Sequence, residues 1–305
     1  MKARHYLEYG LFLPVKGMIR ALPHRAVRHF GQLLGEIAYR LDRRHRWVVE
    51  SNLKLALPEL SRRRRRWIAR RCFRHFGGMI CDMLSLARFD AVELCRHLTL
   101  EGWEHLRTAE EQGRGVLILT AHLGNWEVLA HPMALYHGGM IIVSRPADNP
   151  LLETELRSIR ERFGNSTIYK RGAVRGIARA VRRRERVVLL IDQRVHPNEG
   201  IEVPFFGHPA MTTPLLARLS LRHRVPVVPM FGFPRPRGRF LVVARPPILP
   251  EGTGDEAVAA LTGRYLAVVE EEIRHQPELW LWMHERWIWI DEHERWRKRR
   301  STTIP

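Results

Sequence analysis

An α/β domain with a helical N-terminal extension is the architecture this sequence predicts. Two observations carry the prediction. Between residues 100 and 250, short apolar runs alternate with stretches of helical periodicity, the pattern of a sheet covered by helices. Before residue 100, apolar positions recur at helical spacing. A length of 305 residues suits one large α/β domain with appended helices, and no flexible linker or internal repeat divides it. Residues 1–100 therefore read as a membrane-associating extension and 101–305 as the core of one integrated domain.

Taken in order, the first apolar stretch, Tyr9 to Val15, is short and is ended by Lys16. A membrane-spanning helix needs about 20 mostly apolar residues. No charged segment leads into an apolar core and cleavage site, so no secretory signal is read. Ile19, Leu22, Val27, Phe30, Leu33, Leu34, Ile37 and Leu41 recur at roughly helical spacing among basic residues. That pattern fits an amphipathic helix pair lying on a membrane, and equally a helical hairpin packed on the core. Helical patterns cover 24–41, 43–57 and 62–88, with Pro14, Pro23 and Pro58 as breakers. Arg62–Arg66 form a basic block, read as a solvated face or a docking patch for anionic headgroups or an acidic protein.

Candidate strands follow at 115–121, 139–145, 166–169, 186–192, 225–231 and 239–245. Helical patterns lie between and after them at 125–137, 150–163, 173–184, 212–223 and 254–275. Gly115–Ala121 and Val187–Ile191 are apolar at nearly every position, as central strands buried on both faces are. The segment after 275 is rich in tryptophan, with Trp280, Trp282, Trp287, Trp289 and Trp296. Core packing and a membrane interface both explain such a cluster.

The chain carries 51 Lys and Arg against 32 Asp and Glu, a formal charge of +19. That excess points to an acidic or phosphate-rich partner, such as nucleic acid, an anionic membrane, a phosphorylated lipid or an acidic carrier protein. Further basic patches stand at Arg182–Arg184 with Arg186, and at Arg295 with Arg297–Arg300. No nucleic-acid reading module accompanies them, which argues against a nucleic-acid partner. Cys72, Cys81 and Cys95 match no zinc spacing and read as free thiols. His284-Glu285 and His293-Glu294 each lack the second histidine of a zinc helix, and no phosphate-binding G-x-x-x-x-G-K-[ST] loop occurs. No metal or other cofactor is expected.

The chemistry centres on His122-Leu123-Gly124-Asn125-Trp126-Glu127. It places a histidine at the tip of a central strand and a carboxylate in the turn beyond it. Across a strand–turn–helix junction the two side chains can converge, although on a continuous helix this spacing would point them apart. His122 would then take the proton from an acceptor hydroxyl as general base. Glu127 would accept a hydrogen bond from the other ring nitrogen and stabilise the imidazolium. The alcohol itself would attack an acyl thioester, consistent with the absence of a G-x-S-x-G nucleophile elbow. Backbone N–H groups at Gly124–Trp126 are candidates for holding the oxyanion. Arg145, at a strand end before Pro146, stands where α/β sheets bind ligands, and Asp192 ends the Val187–Ile191 run, as a functional group or as a structural carboxylate capping a loop.

The same hexapeptide resembles the signature block of the late lipid A acyltransferases. Other blocks match in order: Ser144-Arg145-Pro146 with Asn149-Pro150; Asp192-Gln193 followed by Gly200–Gly207 and Thr212-Thr213; Pro226–Pro229; and the segment from Pro277 to Trp287. The likeness spans nearly the whole chain. It implies a glycerol-phosphate-acyltransferase-like fold, a mostly parallel sheet wrapped by helices, peripheral on the cytoplasmic face of the inner membrane. It implies an acyl carrier protein as donor, a phosphorylated glycolipid as acceptor and an anionic membrane lipid as partner, with acyl-CoA or another glycolipid or phospholipid acceptor as alternatives. It carries His122 and Glu127 over as the catalytic pair. Gly124, Asn125, Arg145, Asp192, Gln193 and Gly207 carry over as substrate-binding positions. Relatives with a longer apolar N-terminal span differ from this chain, where Lys16 and Arg20 interrupt the run.

Overall fold

The computed structural model describes residues 2–169 and 173–287. Trp289, Trp296 and the basic patch at 295–300 lie outside the described residues. Helices α1 (Ala3–Ala21), α2 (His24–Leu41), α3 (Arg43–Ala56), α4 (Arg62–Leu86) and α5 (Ala91–His97) come first. The sheet region then runs β1 (Leu98–Glu101), α6 (Trp103–Glu111), β2 (Val116–Thr120), α7 (Ala130–His137), β3 (Ile141–Ser144), α8 (Pro150–Arg160), β4 (Ser166–Tyr169), α9 (Ala173–Arg182) and β5 (Arg186–Leu190). After a hairpin of β6 (Ile201–Phe205) and β7 (His208–Thr212) come α10 (Leu215–His223), β8 (Val227–Arg235), β9 (Arg239–Ala244) and α11 (Gly254–His275).

The main sheet has strand order β1-β9-β8-β2-β5-β3-β4. Every pairing in it is parallel except β8 with β9. β2 is buried throughout, and its alternation divides it between two cores. Leu117 and Leu119 join the cluster under α3, α4, α10 and α11, while Val116 and Ile118 join the one under α6 and α7. This two-faced burial is why the strand carries no polar alternation.

The extension is packed onto this frame. α2 and α4 approach so closely that a Cβ on Gly31 or Gly35 would strike the backbone of α4 at Gly77 or Phe73. Val27 is buried in that seam and Ile19 beside it, whereas Leu33, Ile37 and Leu41 are exposed. A hairpin packed on the core thus accounts for Ile19 and Val27, while Leu33, Ile37 and Leu41 stay outside the packing. Among the described residues, no helix is long and apolar enough to cross a membrane.

Three local expectations change. Pro14 does not break the first helix; α1 runs through it, held by Tyr9 Oη and Lys16 Nζ on Glu155 of α8 at 2.9 and 2.6 Å. Residues 98–100, read as part of the helical extension, instead belong to strand β1, because pairing with the distant β9 overrides the local pattern. Helix 125–137 splits into a 3-10 turn, Trp126–Leu129, and α7.

Candidate active site

The pairing of β2 with β5 sets Thr120 opposite Leu190. Just beyond those partners stand His122 and Asp192, at the carboxyl ends of neighbouring parallel strands, where open α/β sheets place ligands. The His122 ring donates from Nδ1 to Asp192 Oδ1 at 2.9 Å. Asp192 Oδ2 accepts the His122 backbone N–H and the Trp280 indole N–H, each at 2.8 Å. Burial alone would raise this carboxyl, but the adjacent His122 ring and the three hydrogen bonds hold it down at about 2. A proton on Nδ1 leaves Nε2 with its lone pair, and that nitrogen accepts from the Gln193 amide at 3.2 Å.

Glu127 is engaged elsewhere. Its carboxylate takes a two-pronged contact from Arg160, Nε to Oε2 at 2.9 Å and Nη2 to Oε1 at 2.5 Å, plus the Trp126 indole at 3.1 Å. Burial favours the neutral acid, yet the Arg160 fork outweighs it and keeps the carboxyl below its ordinary value. Arg160 is raised in turn by the same carboxylate against its own burial. The expectation that Glu127 orients the second ring nitrogen is therefore corrected: Asp192 occupies that position. Glu127 holds a guanidinium at the pocket instead.

These groups share one cavity of about 470 Å³. His122, Glu127, Arg160, Gln193, Arg194 and His284 supply its polar side. Ala130, Met140, Ile142, Val188, Leu190 and Leu215 give it apolar walls. His284 Nε2 accepts the Arg194 backbone N–H at 3.0 Å, and burial pushes its imidazole down to about 4.

The remaining expected site residues divide. Gln193 and Arg145 line the pocket; Arg145 is ion-paired with Asp148, and its side chain is largely exposed. Asp192, expected to shape the acceptor site, is instead the histidine's buried partner. Gly124 and Asn125 are structural. The Gly124 N–H donates to Leu279 O at 2.9 Å and the Asn125 N–H to Gly232 O at 2.7 Å, so neither is left for an oxyanion. Gly124 has φ +63°, and a Cβ there would collide with the Gly232 carbonyl. Asn125 is fully buried and its side chain accepts the Val128 N–H. Gly207 lies in the two-residue turn of the β6–β7 hairpin, outside the lining of the pocket.

Sequence reasoning missed Arg160, Trp280 and His284 as site residues. Arg160 is one of several arginines in and after α8, and no spacing marks it. Trp280, Trp282 and Trp287 are buried together, and only the indole hydrogen bond to Asp192 separates Trp280 from ordinary packing. The segment carrying it crosses directly over the turn after β2: the Leu281 N–H donates to His122 O at 3.0 Å. Cys72 and Cys81 are buried free thiols and Cys95 a half-buried one. Among the described residues, no cluster of His, Cys, Asp and Glu is arranged to hold a metal ion.

Comparison with known proteins places this geometry in context. Residues 1–288 match the family model described as bacterial lipid A biosynthesis acyltransferase. A lipid A biosynthesis lauroyltransferase of Escherichia coli (strain K12) is 29% identical over 287 residues, covering 93% of this chain and 92% of the relative. A lipid A biosynthesis acyltransferase of Haemophilus influenzae is 26% identical over 289 residues, 93% of this chain and 91% of the relative. A lipid A biosynthesis myristoyltransferase of E. coli is 25% identical over 283 residues, 92% and 87% respectively.

Proposed function

We propose, for a chain that belongs to the bacterial lipid A biosynthesis acyltransferase family and is therefore an acyltransferase, that it moves a fatty acyl chain from an acyl carrier protein thioester to a hydroxyl of a phosphorylated lipid A precursor by direct attack. The acceptor hydroxyl gives its proton to His122 Nε2 as its oxygen bonds to the thioester carbonyl carbon. The ionised Asp192 stabilises the imidazolium through Nδ1–H. Arg160, held by Glu127, faces the negative charge developing on the carbonyl oxygen. The carbon–sulfur bond then breaks, and the leaving thiolate takes the proton back from His122 Nε2. The acyl chain lies along the apolar walls of the pocket. The thioester enters as a substrate and no cofactor takes part.

One observation carries this reading: a histidine held in a single tautomer by Asp192, its unprotonated Nε2 met by the Gln193 amide in the lining of a partly apolar cavity. The charge of +19 supports steering of an acidic carrier protein. Exposed Leu7, Leu11 and Met18 on α1, with Leu33, Ile37 and Leu41 on α2, support peripheral attachment to the cytoplasmic face of the inner membrane.

The test is mass spectrometry of lipids from cells with and without the protein, paired with the purified enzyme on acyl carrier thioester. The expected result is one added acyl mass on a lipid A precursor, lost with His122→Ala by roughly 10³-fold or more. Full activity of His122→Ala in a folded protein would remove the histidine from the mechanism.

A further inference from the structure

A second cavity, of about 530 Å³, lies between α2, α4 and the β8–β9 turn, and shares no lining residue with the catalytic pocket. Arg25, Arg28, Arg71, Arg74, Arg235 and Arg237 converge on it, against one lining carboxylate, Glu278. Half of these arginines are engaged. Arg28 pairs with the buried Asp82, Arg74 reaches Glu36 at 3.6 Å, and Arg71 lies over the Trp67 ring. Among the described residues, Arg25, Arg235 and Arg237 have no ion-pair partner. Arg25 also stands in the first turn of α2, where no acidic residue offsets the positive end of the helix dipole.

Like charges gathered in a cavity repel each other, and an anion relieves that repulsion. Guanidinium forks match the oxygens of a phosphate. Leu33, Ile37 and Leu41 form an exposed apolar stripe along α2, on a different face of the helix from Arg25, Arg28 and Gln32. A cationic cleft on a helix that also exposes apolar side chains suits the phosphorylated head of a lipid at a membrane surface to which those side chains attach. We propose that this cleft binds the phosphomonoester headgroup of an anionic lipid, at a site separate from the acyl-transfer pocket.

The floor of the cleft is His75. Its Nε2–H donates to the Gly124 carbonyl at 2.9 Å, and its Nδ1 accepts from Arg28 at 3.3 Å. Burial, with Arg28 adding to it, pushes this imidazole down to about 3, which keeps the ring neutral for both bonds. The cleft wall is thus joined by one side chain to the turn that carries His122.

The test is sedimentation of the purified full chain with phosphatidylcholine vesicles containing phosphatidic acid, against vesicles containing phosphatidylglycerol at matched surface charge. The wild type binds the phosphatidic acid vesicles more tightly. Arg25→Ala with Arg235→Ala weakens that binding roughly tenfold or more, and each single change gives an intermediate loss. Arg62→Ala with Arg63→Ala removes equal charge from an exposed helix start and costs less than about twofold. His122→Ala keeps the binding, which separates this outcome from any failure of the acyl-transfer reading. Equal losses from the two double variants, or no preference for the monoester, would overturn the proposal. Displacement from the vesicles by micromolar inorganic phosphate would reassign the cleft to a soluble anion and overturn the lipid. Loss of acyl carrier protein binding in the Arg25/Arg235 variant, with vesicle binding intact, would overturn it in favour of a protein partner.

Discussion

The pocket at His122 and the cleft between α2 and α4 handle charge in different ways. In the pocket at His122, three ion pairs form: His122 with Asp192, Arg160 with Glu127, and Arg145 with Asp148. In the cleft between α2 and α4, arginines outnumber carboxylates and several have no pair among the described residues. A site for proton transfer needs one reactive lone pair and quiet surroundings, and pairing supplies both. A site for an anion needs unspent positive charge. The difference shows why net charge is a poor guide to the chemistry of this chain, since it does not distinguish paired from unpaired arginines.

The strongest way to break the comparison is to unpair the pocket. Asp192→Asn keeps the shape but removes the acceptor that holds the His122 tautomer. Turnover should fall roughly 10³- to 10⁴-fold with lipid binding at the cleft unchanged. Activity within about tenfold of wild type would show that the ring is oriented by something else.

A smaller effect is expected at the second pair. Glu127→Gln leaves Arg160 buried beside a neutral amide, and removing one partner of a buried pair costs about 3–5 kcal/mol of stability. Thermal unfolding should report a lower midpoint. Glu127→Gln combined with Arg160→Met should recover much of that stability without recovering the rate. A rate restored along with stability would reduce the pair to a structural role.

A further effect is on pH, and it separates the cavities by one histidine each. His75 at the cleft floor and His284 in the pocket are pushed by burial to about 3 and about 4, from an ordinary 6.5. The unfolded chain binds protons there that the folded chain does not. Stability is therefore full above about pH 6.5 and declines as pH falls toward those values, by up to about 1.4 kcal/mol per pH unit for each ring. Asp192 has the depressed pKa of a carboxylate, so its contribution holds above its ordinary 3.8 and is lost only between that and about 2. Urea unfolding between pH 7.5 and 4.5 should show the slope, and His75→Gln should flatten it. A pH-independent midpoint in that range would contradict the neutral burial of both rings.

Much of the frame was legible in the sequence because its signals are local. β4 and α11 fall within the bounds that periodicity predicts, and α2 begins and ends where the apolar spacing does. His122 and Asp192 were each visible as polar residues at the end of an apolar strand. Their partnership was not, because it depends on β2 lying beside β5, and alternation of strands and helices does not specify strand order. The short spacing from His122 to Glu127 suggested a local partner, whereas the ring nitrogen finds one 70 residues away. Gly124 and Asn125 misled for a related reason. A turn rich in small polar residues looks like a binding loop until its N–H groups are seen to be used by Leu279 and Gly232.

The segment over the catalytic turn has a consequence for how the enzyme comes into being. His122 and Asp192 can meet once β5 has been synthesised, but the Trp280 indole that completes the carboxylate's shell arrives 88 residues later. Asn52, near the start, waits even longer to donate to the carbonyls of Trp282 and His284 at 2.9 and 2.8 Å. A nascent chain that has emerged only through α11 holds both members of the proton-transfer pair and lacks the strap that seats them. The full hydrogen-bond shell of Asp192 thereby depends on a segment that follows every strand of the sheet in the chain.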